Sequence, residues 1–190
     1  MSVTYIGAEL RRLVVARSNG ICEYCLIAED DTFYGCKADH IISEKHVGRT
    51  DAENLAFACV SCNQAKGSDI GSMHWETEQL VRFYNPRTDR WADHFELVGS
   101  LIDGLSPIGH VTAQILGFNT GERVLERQTL QSIGRYRSAA AMRRMQAQAK
   151  TQRRRNSFSR SPALFHPASG SFRGRPRARS VCRNMFLFEV

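Results

Sequence analysis

The sequence predicts an α+β fold: a strand, a long loop, a second strand and a helix, stapled by a metal ion, with flanking helices and a disordered basic tail. Three observations predict it. Two Cys-x-x-Cys pairs, Cys22/Cys25 and Cys59/Cys62, stand 33 residues apart and match zinc-knuckle spacing. Between them, two short stretches rich in aromatic, apolar and β-branched residues flank a polar loop containing Gly48. The basic excess is confined to the far end of the chain, where Ser, Arg, Pro and Gly dominate.

The 190 residues suffice for one ordinary domain, or for a small domain with appendages. No run of about 18 apolar residues occurs, so no transmembrane helix is expected. The opening stretch MSVTYIGAELRRLVV lacks the apolar region and cleavage site of a signal peptide. A cytoplasmic location follows as the expectation, and no membrane partner is expected. Cysteines are reduced in that compartment, and paired spacing there favours metal over disulfides. Of the net charge of +7, residues 151–190 carry +8, from nine Arg against Glu189, and residues 1–150 carry −1. Such a tail can hold a polyanion by counterion release without sequence preference, or simply be solvated.

Along the chain, residues 5–18 predict a short amphipathic helix, with Ile6, Leu10, Leu13 and Val14 at helical spacing. Asn19-Gly20 stops it, and CEYC (22–25) forms the first knuckle. Phe33 to Ile42 reads as a strand carrying Asp39 and His40, residues 43–53 as a polar loop, and Leu55 to Ala58 as the return strand. The second knuckle, CVSC (59–62), leads into a short helix from Asn63 to Lys66, ended by Gly67. Thr77 to Tyr84 predicts a helix ended by Asn85-Pro86. Gly104 to Gly109 reads as a turn, Glu122 to Leu130 as a helix or a continuation of the body, and residues 132–149 as a helix. Disorder is expected after Arg153.

Zinc prefers four soft ligands in a tetrahedron, and Cys22, Cys25, Cys59 and Cys62 supply them. Redox pairs or free buried thiols are the alternative. The insertion between the knuckles has too little apolar material for its own core, so the site should be unfolded without metal. Cys36 reads as a small core residue and Cys182 as incidental.

The segment between the knuckles also carries reactive groups. Asp39 and His40 are adjacent on a strand, so their side chains point to opposite faces. They serve one site only if the strand is irregular there or one reaches around its end. Imidazole, with a pKa near 6.5, suits proton transfer at neutral pH, and a carboxylate suits hard Mg or Mn.

Cys22/Cys25, Asp39-His40-Ile41-Ile42, Asn54-Leu55 and Cys59-x-x-Cys62-Asn63-x-x-Lys66-Gly67 together resemble the HNH endonuclease family. Residues 83–95, FYNPRTDRWADHF, and the stretch through Arg127 look like the extension carried by a bacterial branch of that family. The resemblance implies a ββα-metal core with a structural zinc on the four cysteines. It implies that His40 is the general base, that Asp39 holds a divalent Mg or Mn ion, and that Asn54 braces the loop and orients the histidine. Asn63 stands where the family usually has a metal-binding histidine, so this is an H-N-N variant. An amide oxygen is a neutral ligand that suits a hard ion but cannot act as a base. The implied organisation is an HNH endonuclease domain over 1–130 (core 20–70, extension 71–130), a basic helix over 131–152 and a disordered tail over 153–190.

The implied function is metal-dependent hydrolysis of DNA phosphodiester bonds. The alternative is a non-catalytic, zinc-stapled nucleic-acid-binding module, and a redox protein is a more distant third. His46, in the loop, could touch the phosphate or be solvated. Lys66 could contact a DNA phosphate or be a surface lysine. Trp91 and Phe95, four residues apart, read as core, and His94 beside them as structural. His74 and His110 carry no sequence signal of a role.

Overall fold

The computed structural model describes residues 5–147. The expected tail over 153–190, the end of the basic helix and Cys182 lie outside the described residues. The architecture is α+β, with three separate two-stranded antiparallel hairpins and six helices among the described residues. Isolated hairpins are marginal in water, so each needs a helix or a shared core to hold it. None of the described helices is long and apolar enough to cross a membrane.

The first hairpin pairs β1 (Cys36–His40) with β2 (Leu55–Cys59), with Asp39 opposite Ala56 and His40 opposite Leu55. Every residue of β2 is buried. Its side chains alternate between two apolar surroundings: Leu55 and Phe57 join Val14 beneath helix α1 (Ala8–Ser18), while Ala56 and Ala58 face the main core. Both faces are covered, which is why LAFAC is an unbroken apolar run. Arg17 of α1 ties the helix down by donating to the carbonyls of Ala52 and Leu55, each at 2.8 Å. Helix α2 (Val60–Lys66) follows β2 directly, and Gly67 ends it at φ 53°, a conformation glycine adopts without penalty.

The expected β1 was longer than the observed one. Phe33 and Tyr34 are 93% and 74% exposed in a turn whose Gly35 takes φ 69°, so aromatic content there does not signal a strand. A larger correction concerns Thr77 to Tyr84, expected to be a helix. Those residues form β4 (Gln79–Arg82), paired with β3 (Gly71–His74). Gly71 permits the pairing, because a Cβ there would lie 2.5 Å from the Val81 carbonyl oxygen. The turn between the strands places Glu78 at φ 53°. The apolar spacing of this stretch fits either period, and the partner strand decided it.

Helix α3 (Trp91–His94) leads into the third hairpin, β5 (Phe95–Val98) with β6 (Leu101–Gly104). The turn expected at 104–109 is confined to Leu105 and Ser106, between β6 and the next helix. Ser106 Oγ accepts from Gly109 N, Pro107 occupies the first turn, and helix α4 runs Pro107–Ile115. Helix α5 (Gly121–Ser132) follows, and helix α6 (Ala139–Ala147) closes the described chain. The core joins knuckle residues such as Tyr24 and Ile27 to Tyr84, Trp91, Phe95 and Phe118. Trp91 and Phe95 are core, as expected, with ring centroids 5.2 Å apart.

Candidate active site and metal centre

The four knuckle thiols are fully or almost fully buried, and their sulfurs lie within 4.8 Å of one another. Cys25 Sγ and Cys59 Sγ are 3.7 Å apart. With Zn–S bonds of about 2.3 Å, the edge of a tetrahedron is about 3.8 Å, so the cluster has the dimensions of a zinc tetrathiolate. Hydrogen bonds from Cys22, Cys59 and Cys62 hold the Cys25 thiol well below its ordinary pKa, while burial pushes Cys22 up. A dication on four thiolates leaves net negative charge, and Arg123 of α5 meets it. Its Nη2 lies 3.7 Å from Cys59 Sγ and 3.6 Å from Cys62 Sγ. Burial opposes the guanidinium charge, but Cys25, Cys62 and Cys59 hold its pKa above the ordinary value. No sequence signal links Arg123 to the knuckles, because only α5 packing brings it there.

The first knuckle is held from inside as well. Glu23, the residue between its cysteines, is completely buried. Its Oε2 accepts from Phe57 N at 2.8 Å, and its Oε1 meets Arg144 Nη2 at 2.6 Å and the Arg87 guanidinium. Trp91 Nε1 donates to the Tyr24 carbonyl at 2.8 Å, and Tyr136 OH to the Cys25 carbonyl at 3.0 Å. The polar groups of a tight buried turn thereby find partners in the extension and in α6.

At the other end of the hairpin from Cys59 stand the residues singled out for reactivity; the pairing there is regular, so Asp39, opposite Ala56, and His40, opposite Leu55, point to opposite faces of the hairpin. His40 is 5% exposed, and its Nε2 lies 2.8 Å from Thr50 Oγ1. Within the 43–53 loop, Gly48 and His46 carry a sequence signal and Thr50 carries none. Asn54 makes three side-chain hydrogen bonds. Its Oδ1 accepts from Ile42 N at 2.9 Å, and its Nδ2 donates to the carbonyls of Ile42 (2.8 Å) and Arg49 (2.9 Å). The loop passes so close that a Cβ on Gly48 would fall 1.8 Å from the Ile42 oxygen and 2.8 Å from Asn54 Nδ2. Glycine is required here for close approach.

Asp39 and Lys66 are brought together. Lys66 Nζ lies 3.0 Å from Asp39 Oδ2, and the lysine side chain is 2% exposed. Lys66 is therefore neither a surface lysine nor an ammonium presented to a DNA phosphate, the two expectations from sequence: its ammonium faces a carboxylate instead of solvent, and its hydrogen bond goes to the Gly67 carbonyl. A cation can be buried in this way only when an anion accompanies it. Asp39 Oδ2 itself is buried and accepts no hydrogen bond from the protein. Asn63, one turn before Lys66 on α2, is half-buried, and His46 is exposed in the loop. A carboxylate and an amide oxygen are hard donors of the kind a divalent ion such as Mg takes, but the Asp39 oxygen is already accompanied by the Lys66 ammonium.

A buried zinc-type cysteine cluster backs an antiparallel hairpin and a short helix, with a histidine at the hairpin's end, in a ββα arrangement. Residues 22–69 match the family model for HNH endonuclease. The chain therefore carries an HNH endonuclease domain over those residues, and HNH nucleases act on DNA. No curated protein and no solved structure gives a significant match to the chain.

Proposed function

We propose that this protein is a metal-dependent DNA endonuclease, with His40 as general base and Asp39 and Asn63 as ligands of a Mg or Mn ion. The observation that carries the proposal is the support built around His40. Asn54 closes the Ile42–Arg49 loop with three hydrogen bonds, and Thr50, one residue past that loop, meets His40 Nε2. With Nε2–H donating to Thr50, Nδ1 carries the lone pair, and no protein group among the described residues claims it. A water held there gives its proton to Nδ1 as its oxygen attacks phosphorus and the bond to the 3′ oxygen breaks. When bound, the divalent ion supplies positive charge for the phosphate oxygens and the leaving 3′ oxygen. Asp39 and Asn63 would hold it, with Asp39 using the oxygen that Lys66 does not meet.

The Asp39–Lys66 ion pair also favours a second reading, a zinc-stapled module that binds nucleic acid without cutting it, because a protein cation already accompanies the carboxylate. Plasmid cleavage across Mg, Mn and other divalent ions separates the two. The nuclease reading expects nicking or cutting by the wild type, abolished in a His40→Ala variant that keeps its zinc and its melting temperature. Retained cleavage by that variant refutes the base assignment. DNA binding with no cleavage under any ion establishes the second reading.

A further inference from the structure

A second side-chain cluster lies outside both the cysteine site and the His40 site. His74 ends β3, Glu76 sits in the turn to β4, and His110 is in the first turns of α4. One ligand atom from each lies within 4.8 Å of the others. His74 Nε2 and His110 Nδ1 are 3.1 Å apart, with the rings nearly parallel, at 12°. Glu76 Oε2 is 3.8 Å from His74 Nε2.

His110 Nε2 lies 2.9 Å from the Gly104 carbonyl, which can only accept, so Nε2 is the protonated nitrogen and Nδ1 turns its lone pair toward His74. On His74, Nδ1 lies 2.9 Å from Thr77 Oγ1, which is also 3.3 Å from the His74 carbonyl. With the hydroxyl donating to that carbonyl, Thr77 Oγ1 accepts from His74 Nδ1–H, and the two imidazole lone pairs converge beside the Glu76 carboxylate, an arrangement that a cation completes. With the hydroxyl donating to Nδ1 instead, His74 Nε2–H donates to His110 Nδ1 and no cation is needed. Outer hydrogen bonds from the far ring nitrogen to a carbonyl and a hydroxyl are how proteins orient metal-binding histidines.

We propose that His74, Glu76 and His110 form a binding site for a first-row divalent ion, zinc above all, through His74 Nε2, His110 Nδ1 and a Glu76 oxygen. Two imidazoles and one carboxylate are borderline donors that select Zn, Co or Ni over Mg or Ca. For Zn–N bonds of about 2.0–2.1 Å, two nitrogens of a tetrahedron stand about 3.3 Å apart, close to the separation observed. His74 is buried, while Glu76 is 80% exposed and free to swing the few tenths of an ångström that closure needs. Three protein ligands leave a fourth position for water. The ion would pin the β3–β4 turn to α4, joining two elements of the extension much as the cysteine zinc joins the two knuckles.

The test counts ions in the full-length protein. Zinc per chain is measured by elemental analysis and native mass spectrometry for the wild type, His110→Ala and Glu76→Gln after equilibration with excess zinc and buffer exchange. The proposal expects the wild type to hold one zinc more than His110→Ala, with the cysteine zinc and the circular dichroism unchanged, and Glu76→Gln to lose the extra ion more readily. Cobalt added to wild type whose cysteine site alone holds zinc should give weak visible bands without thiolate charge transfer, absent in His110→Ala. Equal zinc counts in the wild type and the folded variants overturn the site. Glu76 is too exposed for its substitution to unfold the chain, so a His110 variant that fails to fold still leaves the comparison decisive. Cleavage activity does not enter the readout, so the outcome is independent of the nuclease proposal.

Discussion

At the scale of single residues, the site depends on side chains that satisfy backbone rather than on reactive groups alone. Asn54 donates to two carbonyls and accepts from one N–H of the loop that leads away from His40. Alanine there leaves those groups to water and frees the loop. Each such bond contributes about 1 kcal/mol net, so Asn54→Ala should lower stability by about 1–3 kcal/mol in urea titrations. Loss of positioning should cost far more in rate, about 100-fold in plasmid cleavage. An Asn54→Ala protein that cuts at the wild-type rate would remove the bracing role. Sequence drew attention to Asn54 and His40, but Thr50 was invisible in it, because a threonine in a polar loop has no pattern until the loop folds back on the histidine.

At the scale of elements, the buried faces are not all apolar. Helix α5 turns Arg123 and Arg127, four residues apart, into the protein. Arg123 meets the knuckle sulfurs, while Arg127 donates to the carbonyls of Ser100 (2.5 Å) and Phe118 (2.7 Å). The apolar stripe that marks a helix in sequence is broken by these arginines, so Glu122 to Leu130 fits a helix or a continuation of the body equally by pattern. Glu23 performs a similar service between elements, linking the first knuckle to β2, to the 85–90 loop through Arg87 and to α6 through Arg144. Glu23→Gln keeps the shape but leaves two guanidiniums, 6% and 9% exposed, without their anion. Removing one partner of a buried ion pair typically destabilises by about 3–5 kcal/mol, and the urea midpoint should fall accordingly. A midpoint within experimental error of wild type would show that α6 and the loop are not held through this carboxylate.

At the scale of the whole molecule, the three short hairpins among the described residues share one core, and the knuckle cysteines are part of it. Apparent binding energies of structural zinc sites, about 10–16 kcal/mol, are comparable to or exceed the total stability of an ordinary domain, about 5–15 kcal/mol. Stripping zinc with a strong chelator should therefore unfold the chain, with loss of far-UV circular dichroism and of the cooperative melt, both restored by adding zinc back. Retention of the full spectrum at zero zinc would mean that apolar burial alone carries the fold.

The sequence by itself determined the cysteine cluster, the hairpin between the knuckles, the short helix that follows and the resemblance to the HNH endonuclease family that they carry. These are local: ligand spacing, a strand–loop–strand pattern and a helix stop all lie within about fifty residues of chain. Tertiary structure alone decided that Thr77 to Tyr84 is extended, that Lys66 is buried against Asp39, that Arg123 lies over the zinc-type sulfurs, and that His74 meets His110. Each of these joins residues through a partner whose position the intervening chain does not encode. Hydrophobic period and ligand spacing are read along one segment, whereas a buried charge or a shared lone pair acquires its meaning from what packs against it.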